Sequence, residues 1–128
     1  MPSFGAESEK MLDGVDPRLV GICRMAIKVM DFKVIDGLRT LEEQKINVAR
    51  GKSWTLDSKH LDGLAVDLAP WPVNWKDTEM FCVLAGVMKA AAHTQGIKLR
   101  WGGDWDSDNS AVDERKRDYG HFEIVEAK

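Results

Sequence analysis

The sequence has little of several features that mark whole classes of protein. It holds only two cysteines, Cys23 and Cys82, and both fall in apolar helical patterns, which favours buried free thiols over a disulfide. The net charge is -3, so no polybasic surface points to nucleic acid or to an anionic membrane. No apolar run approaches the roughly 20 residues of a membrane span, and the first residues show no signal-peptide pattern. These absences leave a globular chain with no expected nucleic-acid or stable membrane partner.

The remaining composition fits one small domain. The chain has 128 residues, of which 44% are hydrophobic and 30% charged, and we see no internal repeat. We therefore treat residues 1–128 as a single domain and expect it to act as a monomer. The patterns predict helices over residues 8–12, 17–30, 41–50 and 78–95, and strands over 32–36, 65–69, 97–101 and from 122 onward. The longest helix is predicted to face the core through Met80, Phe81, Leu84, Val87, Met88 and Ala91.

A histidine and an aspartate lie seven residues apart in the segment Ser58-Lys59-His60-Leu61-Asp62-Gly63-Leu64-Ala65-Val66-Asp67. The polar residues around His60 predict a loop or turn, and Gly63 can take the positive φ that folds His60 back over the next strand. Strand periodicity places Asp67 on the face opposite Val66, among alanines that leave room for an ion and a substrate. Imidazole and carboxylate are good zinc ligands, so His60 and Asp67 are candidate ligands; the alternative is a solvated turn histidine and an ordinary aspartate.

A second polar motif, Asp118-Tyr119-Gly120-His121, precedes an alternating segment near the C-terminus. His121 would start that strand and supply a third metal ligand. We place Asp118 across a glycine turn, where it would reach a metal-activated water as general base and then protonate the leaving amine. Taken singly, His121 could be a strand-entry histidine and Asp118 a turn carboxylate that caps its own backbone. Taken together, the two motifs fit a metallopeptidase.

The order S-x-H-x-x-G-x-A-x-D, followed by a late D-x-x-H, resembles the zinc peptidases that include D-alanyl-D-alanine carboxypeptidases and dipeptidases. Within that group the chain is most similar to phage endolysins that are L-alanyl-D-glutamate peptidases. The resemblance also takes in residues 36–40, Gln44 and the block Leu-Arg-Trp-Gly-Gly-Asp-Trp at 99–105. Many relatives in the wider family carry glutamate where this chain has Asp118, and the shorter side chain fits the endolysin branch better.

The resemblance implies one zinc ion held by His60, Asp67 and His121, with Asp118 as the catalytic acid and base. It implies an α+β fold, with a short, mainly antiparallel sheet carrying the zinc site and helices flanking it. The implied substrate is the peptidoglycan stem peptide, cut between L-alanine and D-glutamate, which lyses the bacterial wall late in phage infection. Without a signal peptide, an enzyme made in the host cytoplasm would need a holin pore to reach the wall. The alternatives are a carboxypeptidase or dipeptidase of the same fold, or a metal-stabilised binding module without turnover.

Four further residues are candidates for the same site. Arg39 lies at a strand-to-helix turn, where its guanidinium could hold a substrate carboxylate or stabilise an oxyanion; the alternative is a surface salt bridge. Gln44 could form a hydrogen bond near the same place, and Ser58 could orient His60 or a bound peptide. Trp101, beside two glycines, is either a pocket wall or a core tryptophan at a turn.

The acidic segment 106–114 carries alternating oxygen side chains, as calcium loops do. Its spacing matches an EF-hand only in part, because the sixth position lacks the required glycine. A solvated loop is the favoured interpretation, and calcium is not assigned as a cofactor.

Overall fold

A computed structural model of the protein describes residues 2–51, 59–104 and 118–125. The helices are α1 (Ala6–Leu12), α2 (Pro17–Ile27), α3 (Leu41–Ala49) and α4 (Thr78–Thr94), with a short 3-10 helix at Lys59–Asp62. The strands are β1 (Phe32–Asp36), β2 (Ala65–Pro70), β3 (Leu99–Gly102) and β4 (Asp118–Ile124). None of the helices in these ranges is long and apolar enough to cross a membrane.

The four strands form one antiparallel sheet in the order β1-β2-β4-β3. The last strand of the sequence therefore lies between β2 and β3, next to the strand that carries Asp67. This arrangement, with helices packed on the sheet, confirms the predicted α+β fold. It also brings together segments that lie far apart in the sequence.

One face of the sheet forms the hydrophobic core. Val66 and Leu68 of β2 point into it with Phe122 and Ile124 of β4, and all four are at most 1% exposed. Helix α4 packs against the strands, and α2 packs against α4. Side chains alternate along a strand, so Asp67 points to the other face, as its position between Val66 and Leu68 predicted. The core thus fixes which face of the sheet carries the polar site.

Capping residues set the helix ends. Asp16 precedes α2 and accepts a hydrogen bond from the backbone N–H of Arg18 at 2.9 Å, with Pro17 in the first turn. Thr40 and Glu43 form a reciprocal capping box at the start of α3. Helix α2 ends at Ile27, three residues before the predicted end.

Three local predictions were wrong. Cys82 is exposed rather than buried, and so is Met80, whereas Cys23 is buried; both thiols are free. Helix α4 packs through a narrow stripe that includes Phe81 and Leu84, and neighbouring positions turn about 100° away towards solvent. His60 lies in a short 3-10 helix, in the segment for which the sequence predicted a loop or turn.

The third concerns the start of β4, which lies at Asp118 rather than at His121, so no glycine turn separates the two residues. Instead the strand is irregular. Trp101 pairs with Phe122 and the next residue, Gly102, pairs with Asp118, so one step along β3 spans four residues of β4. A Cβ on Gly102 would lie 2.1 Å from the carbonyl oxygen of Asp118, so only glycine permits this approach.

Candidate metal centre

His60, Asp67 and His121 converge on the polar face of the sheet. Each offers a ligand atom, and these atoms lie within 4.8 Å of one another; they form the metal-ligand cluster found among the described residues. His60 Nε2 and His121 Nδ1 both lie 3.2 Å from Asp67 Oδ1. Three donors at about 2.0–2.1 Å from a tetrahedral ion stand about 3.4 Å apart, so this spacing suits zinc.

Strand pairing positions two of the ligands, and a 3-10 helix followed by a glycine positions the third. Asp67 and His121 are paired residues on β2 and β4, and paired residues point to the same face. His60 comes from the 3-10 helix, and Gly63 follows it with a φ of 71°, the positive value that its sequence position predicted. A Cβ at Gly63 would lie 2.7 Å from the carbonyl oxygen of Gly14, so the residue is also needed for close packing.

Each imidazole has its second nitrogen against a protein oxygen. His60 Nδ1 lies 2.8 Å from the carbonyl oxygen of Gly37. His121 Nε2 lies 2.9 Å from Glu123 Oε1. In a neutral ring these nitrogens donate their N–H to the oxygens, which leaves the nitrogens that face Asp67 with a lone pair for a metal.

The charges of the cluster are strongly coupled. Burial by itself would raise the pKa of Asp67, but hydrogen bonds from His121 and His60 outweigh it and lower the pKa well below its ordinary range. Burial would lower the pKa of His121, but the hydrogen bonds to Asp67 and Glu123 raise it to about 9. Asp67 is therefore an ionised carboxylate whose negative charge is stabilised by the two imidazoles.

Asp118 is a half-buried carboxylate, and it lies close enough to the cluster for the charges there to affect its pKa. Burial raises its pKa, the negative charge of Asp67 raises it further, and His121 and His60 act in the opposite direction. A carboxyl group with a raised pKa beside a metal-ligand cluster has the character expected of a proton-transfer group.

Arg39 is buried at 8% exposure and is bonded on several sides. Its guanidinium donates to Asp36 Oδ2 from Nε and Nη2, at 3.2 and 2.6 Å, and to Gln44 Oε1 from Nη1. Nη2 also lies 3.6 Å from Asp67 Oδ2, and the backbone N–H donates to the carbonyl oxygen of His60. The ion pair of Arg39 with Asp36 is therefore buried, unlike the surface salt bridge of the alternative interpretation, and the fully buried Gln44 accepts a hydrogen bond from the same guanidinium.

Trp101 is placed in the core, with 6% of its surface exposed. Its Nε1 donates a 2.7 Å hydrogen bond to the carbonyl oxygen of Tyr119. This placement favours the alternative of a core tryptophan at a turn over a pocket wall. Ser58 and the acidic segment 106–114 lie outside the described residues.

Sequence reasoning gave no role to two carboxylates that the structure puts beside the cluster, Asp36 and Glu123. Glu123 stands two residues after His121 on β4, and the period of two in a strand could have placed both side chains on one face. Burial would raise the pKa of Glu123, but hydrogen bonds from His121 and Arg100 lower it to about 2. Glu123 is therefore a buried, ionised partner of a predicted ligand.

The sequence and fold have clear relatives. A family described as phage L-alanyl-D-glutamate peptidase matches residues 2–125. The L-alanyl-D-glutamate peptidase of Escherichia phage T5 is 38% identical to this chain over an alignment of 133 positions. The alignment covers 95% of this chain and 97% of the phage protein.

Two solved structures share the architecture. The L-Ala D-Glu endopeptidase ChiX of Serratia marcescens superposes with a TM-score of 0.80 at 35% identity, covering 95% of this chain and 89% of that one. The D,D-pentapeptidase VanY from a VanB-type resistance cassette, solved in complex with Zn(II), superposes with a TM-score of 0.55. The two sequences are 17% identical, and the superposition covers 88% of this chain and 73% of that one. At this identity the likeness supports the fold alone.

Proposed function

The chain belongs to the phage L-alanyl-D-glutamate peptidase family, and we propose that it is a zinc-dependent endolysin. Its substrate is the peptidoglycan stem peptide, which it hydrolyses between L-alanine and D-glutamate, and the result is lysis of the bacterial wall. The observation that carries the proposal is the convergence of His60, Asp67 and His121 on one point. We also propose that residues 1–128 act as one catalytic domain.

The donor set fits zinc. Two imidazole nitrogens and one carboxylate are the ligands of many catalytic zinc sites, which leave a fourth position open. In this chain both rings are held by oxygens on their far sides, so the ligand nitrogens already face one carboxylate oxygen. Zinc bound here would supply an activated water and an electrophile for the scissile carbonyl oxygen.

We assign the proton transfers to Asp118. Its carboxylate accepts a proton from the attacking water and delivers it to the leaving amine of D-glutamate. Its half-buried position and raised pKa support this assignment, because a carboxyl group that is too acidic would be a poor base.

Arg39 is proposed as the stabiliser of negative charge that develops on the substrate. Its guanidinium is already held by Asp36 and Gln44, which gives a rigid cation beside the cluster. Ser58, Gln44 and Trp101 remain proposed substrate-binding residues, and the contacts of Gln44 and Trp101 favour a supporting role for both.

The setting of the reaction is also a proposal. The enzyme acts as a monomer on peptidoglycan, without nucleic acid or a stable membrane association. It is made in the host cytoplasm and reaches the wall after release through a holin-type pore.

The test is a lysis assay on outer-membrane-permeabilised Gram-negative cells. Purified protein is added as prepared, after stripping with a chelator, and after zinc is restored, and the released fragments are analysed by mass spectrometry. We expect turbidity to fall only with zinc present, and new N-terminal D-glutamate to appear. Clearing that survives chelation would contradict the zinc mechanism.

The same fragments separate the alternatives. Release of terminal D-alanine alone would assign the protein to the carboxypeptidase and dipeptidase group. Zinc binding with no cleavage of any stem peptide would indicate a metal-stabilised binding module.

A further inference from the structure

The carboxylate of Glu123 lies within hydrogen-bond distance of His121, one of the two histidines of the cluster. Its Oε1 is 2.9 Å from His121 Nε2, while its Oε2 is 2.9 Å from Arg100 Nη2 and 3.4 Å from Lys59 Nζ. The side chain is only 8% exposed. One buried carboxylate therefore joins an imidazole to two partly exposed cations.

The sheet fixes this contact from three sides. Glu123 pairs with Ala65 on β2 and with Arg100 on β3, and His121 stands two residues before it on β4. All four side chains point to the same face because paired residues, and residues two apart in one strand, share a face. The partner at Ala65 is a methyl group, which leaves space for the carboxylate to turn towards His121.

The two histidines are anchored by different kinds of oxygen. His60 is held by the backbone carbonyl of Gly37, which no side-chain substitution removes. His121 is held by a side-chain carboxylate. A carboxylate that accepts the N–H of a ligand histidine fixes its tautomer and makes its other nitrogen a better donor.

We propose that Glu123 is the positioning residue of the metal site, holding His121 in the tautomer and orientation in which Nδ1 is the zinc ligand. Arg100 and Lys59 hold the carboxylate in place from its other oxygen. This inference rests on the proposed zinc peptidase function, because it concerns the affinity of the same cluster for its ion.

The experiment measures the zinc dissociation constant by competition with a chromophoric chelator for the full chain and three variants. Glu123→Ala removes the acceptor, Glu123→Gln keeps an amide oxygen there, and Arg100→Met removes a cation from the same carboxylate without touching His121. We expect a loss of about 10–100-fold in affinity for Glu123→Ala. The loss should be smaller for Glu123→Gln and under about 3-fold for Arg100→Met, because Lys59 remains.

Two further readouts separate positioning from general destabilisation. The cobalt(II)-loaded protein reports ligand geometry by its visible absorption, which should change in Glu123→Ala and be largely restored in Glu123→Gln. Thermal unfolding of the metal-free variants measures how much each substitution destabilises the fold by itself. If Glu123→Ala fails to fold, the comparison of Glu123→Gln with Arg100→Met still decides, because only the first alters the contact with His121.

Several results would overturn the inference. They are an unchanged zinc affinity or an unchanged cobalt spectrum in folded Glu123→Ala, or an equal loss of affinity in Arg100→Met. If Glu123→Ala does not fold, a loss in Glu123→Gln no larger than that in Arg100→Met overturns it. If the unaltered protein hydrolyses its substrate with zinc and the Glu123 variants bind zinc equally well, the positioning role alone fails. If the unaltered protein binds no zinc, the proposed function fails as well.

Discussion

The guanidinium of Arg39 lies against the carboxylate of Asp67, with Nη2 3.6 Å from Oδ2. The other oxygen, Oδ1, faces the two histidines at 3.2 Å. Asp67 therefore divides its two oxygens between a permanent cation and the candidate metal position. Asp36 shares the same guanidinium, so one arginine balances two carboxylates.

Replacing Arg39 should therefore destabilise the protein. Arg39→Met would leave Asp36 and Asp67 beside each other without their cation, and loss of one partner of a buried pair costs about 3 kcal/mol or more. Urea unfolding of the metal-free protein measures the change. Arg50→Met, at the exposed end of α3, is the control and should change the free energy of unfolding by less than about 0.5 kcal/mol. Equal effects of the two substitutions would contradict the role of Arg39 as the cation shared by Asp36 and Asp67.

Asp118→Asn should abolish hydrolysis and keep the metal. The amide cannot accept a proton, and loss of a general base typically costs about 10²–10⁴-fold in rate. The rate is measured on a synthetic stem peptide, and bound zinc is measured on the same sample. Asp13→Asn, an exposed carboxylate at the end of α1, should retain full activity. Full activity of Asp118→Asn would remove Asp118 from the mechanism.

Zinc should stabilise the folded protein through its ligands. A ligand present at 100 times its dissociation constant adds about 2.7 kcal/mol, so zinc should raise the Tm of the unaltered protein by several degrees. His60→Ala should abolish this shift, because it removes one of three ligands. His93→Ala is a matched control, since His93 is exposed near the end of α4. A shift that survives in His60→Ala would place the metal elsewhere.

The two thiols should differ in reactivity. Cys82 is exposed, whereas Cys23 is fully buried and burial raises the pKa of its thiol from 9.0 to about 12. Since the thiolate is the reactive form, a thiol reagent at pH 8 should modify one cysteine in the folded protein and two after unfolding. The Cys82→Ser variant should show no rapid reaction. Fast modification of that variant would mean that Cys23 is accessible.

The buried thiol also predicts a pH effect on stability. The folded-state pKa of Cys23 is raised, so the contribution of the neutral thiol is complete below about pH 9 and is lost as the pH rises towards 12. Unfolding in urea between pH 8 and 11 should therefore show a steeper fall for the unaltered protein than for Cys23→Ala. Equal slopes would contradict the assignment.

Much of this protein could be read from local sequence. The strand containing Asp67 was predicted because its alternation of Val66 and Leu68 with smaller side chains has the period of a half-buried strand. The starts of α2 and α4 followed from Asp16 and Asp77, whose side chains accept hydrogen bonds from the first turn. Such features depend on residues within one turn or one strand, so sequence alone was sufficient.

Other features required the tertiary structure. The exposure of Cys82 depends on how α4 lies against α2 and the sheet, and the start of β4 at Asp118 depends on its pairing with Gly102. The partners of Arg39 come from a strand, a helix and a second strand, which no local pattern specifies. The two cations that lie against Glu123 also come from other segments, Arg100 from β3 and Lys59 from the 3-10 helix.

The sequence by itself determined the residue types at the candidate site and the local elements that carry them, because hydrogen bonding and side-chain alternation act over short distances along the chain. Only the tertiary structure decided that His121 meets Asp67 across 54 residues and which nitrogen of each histidine faces that carboxylate. Strand pairing and packing of the opposite face against α4 fix those relationships, and both join segments that are distant in sequence.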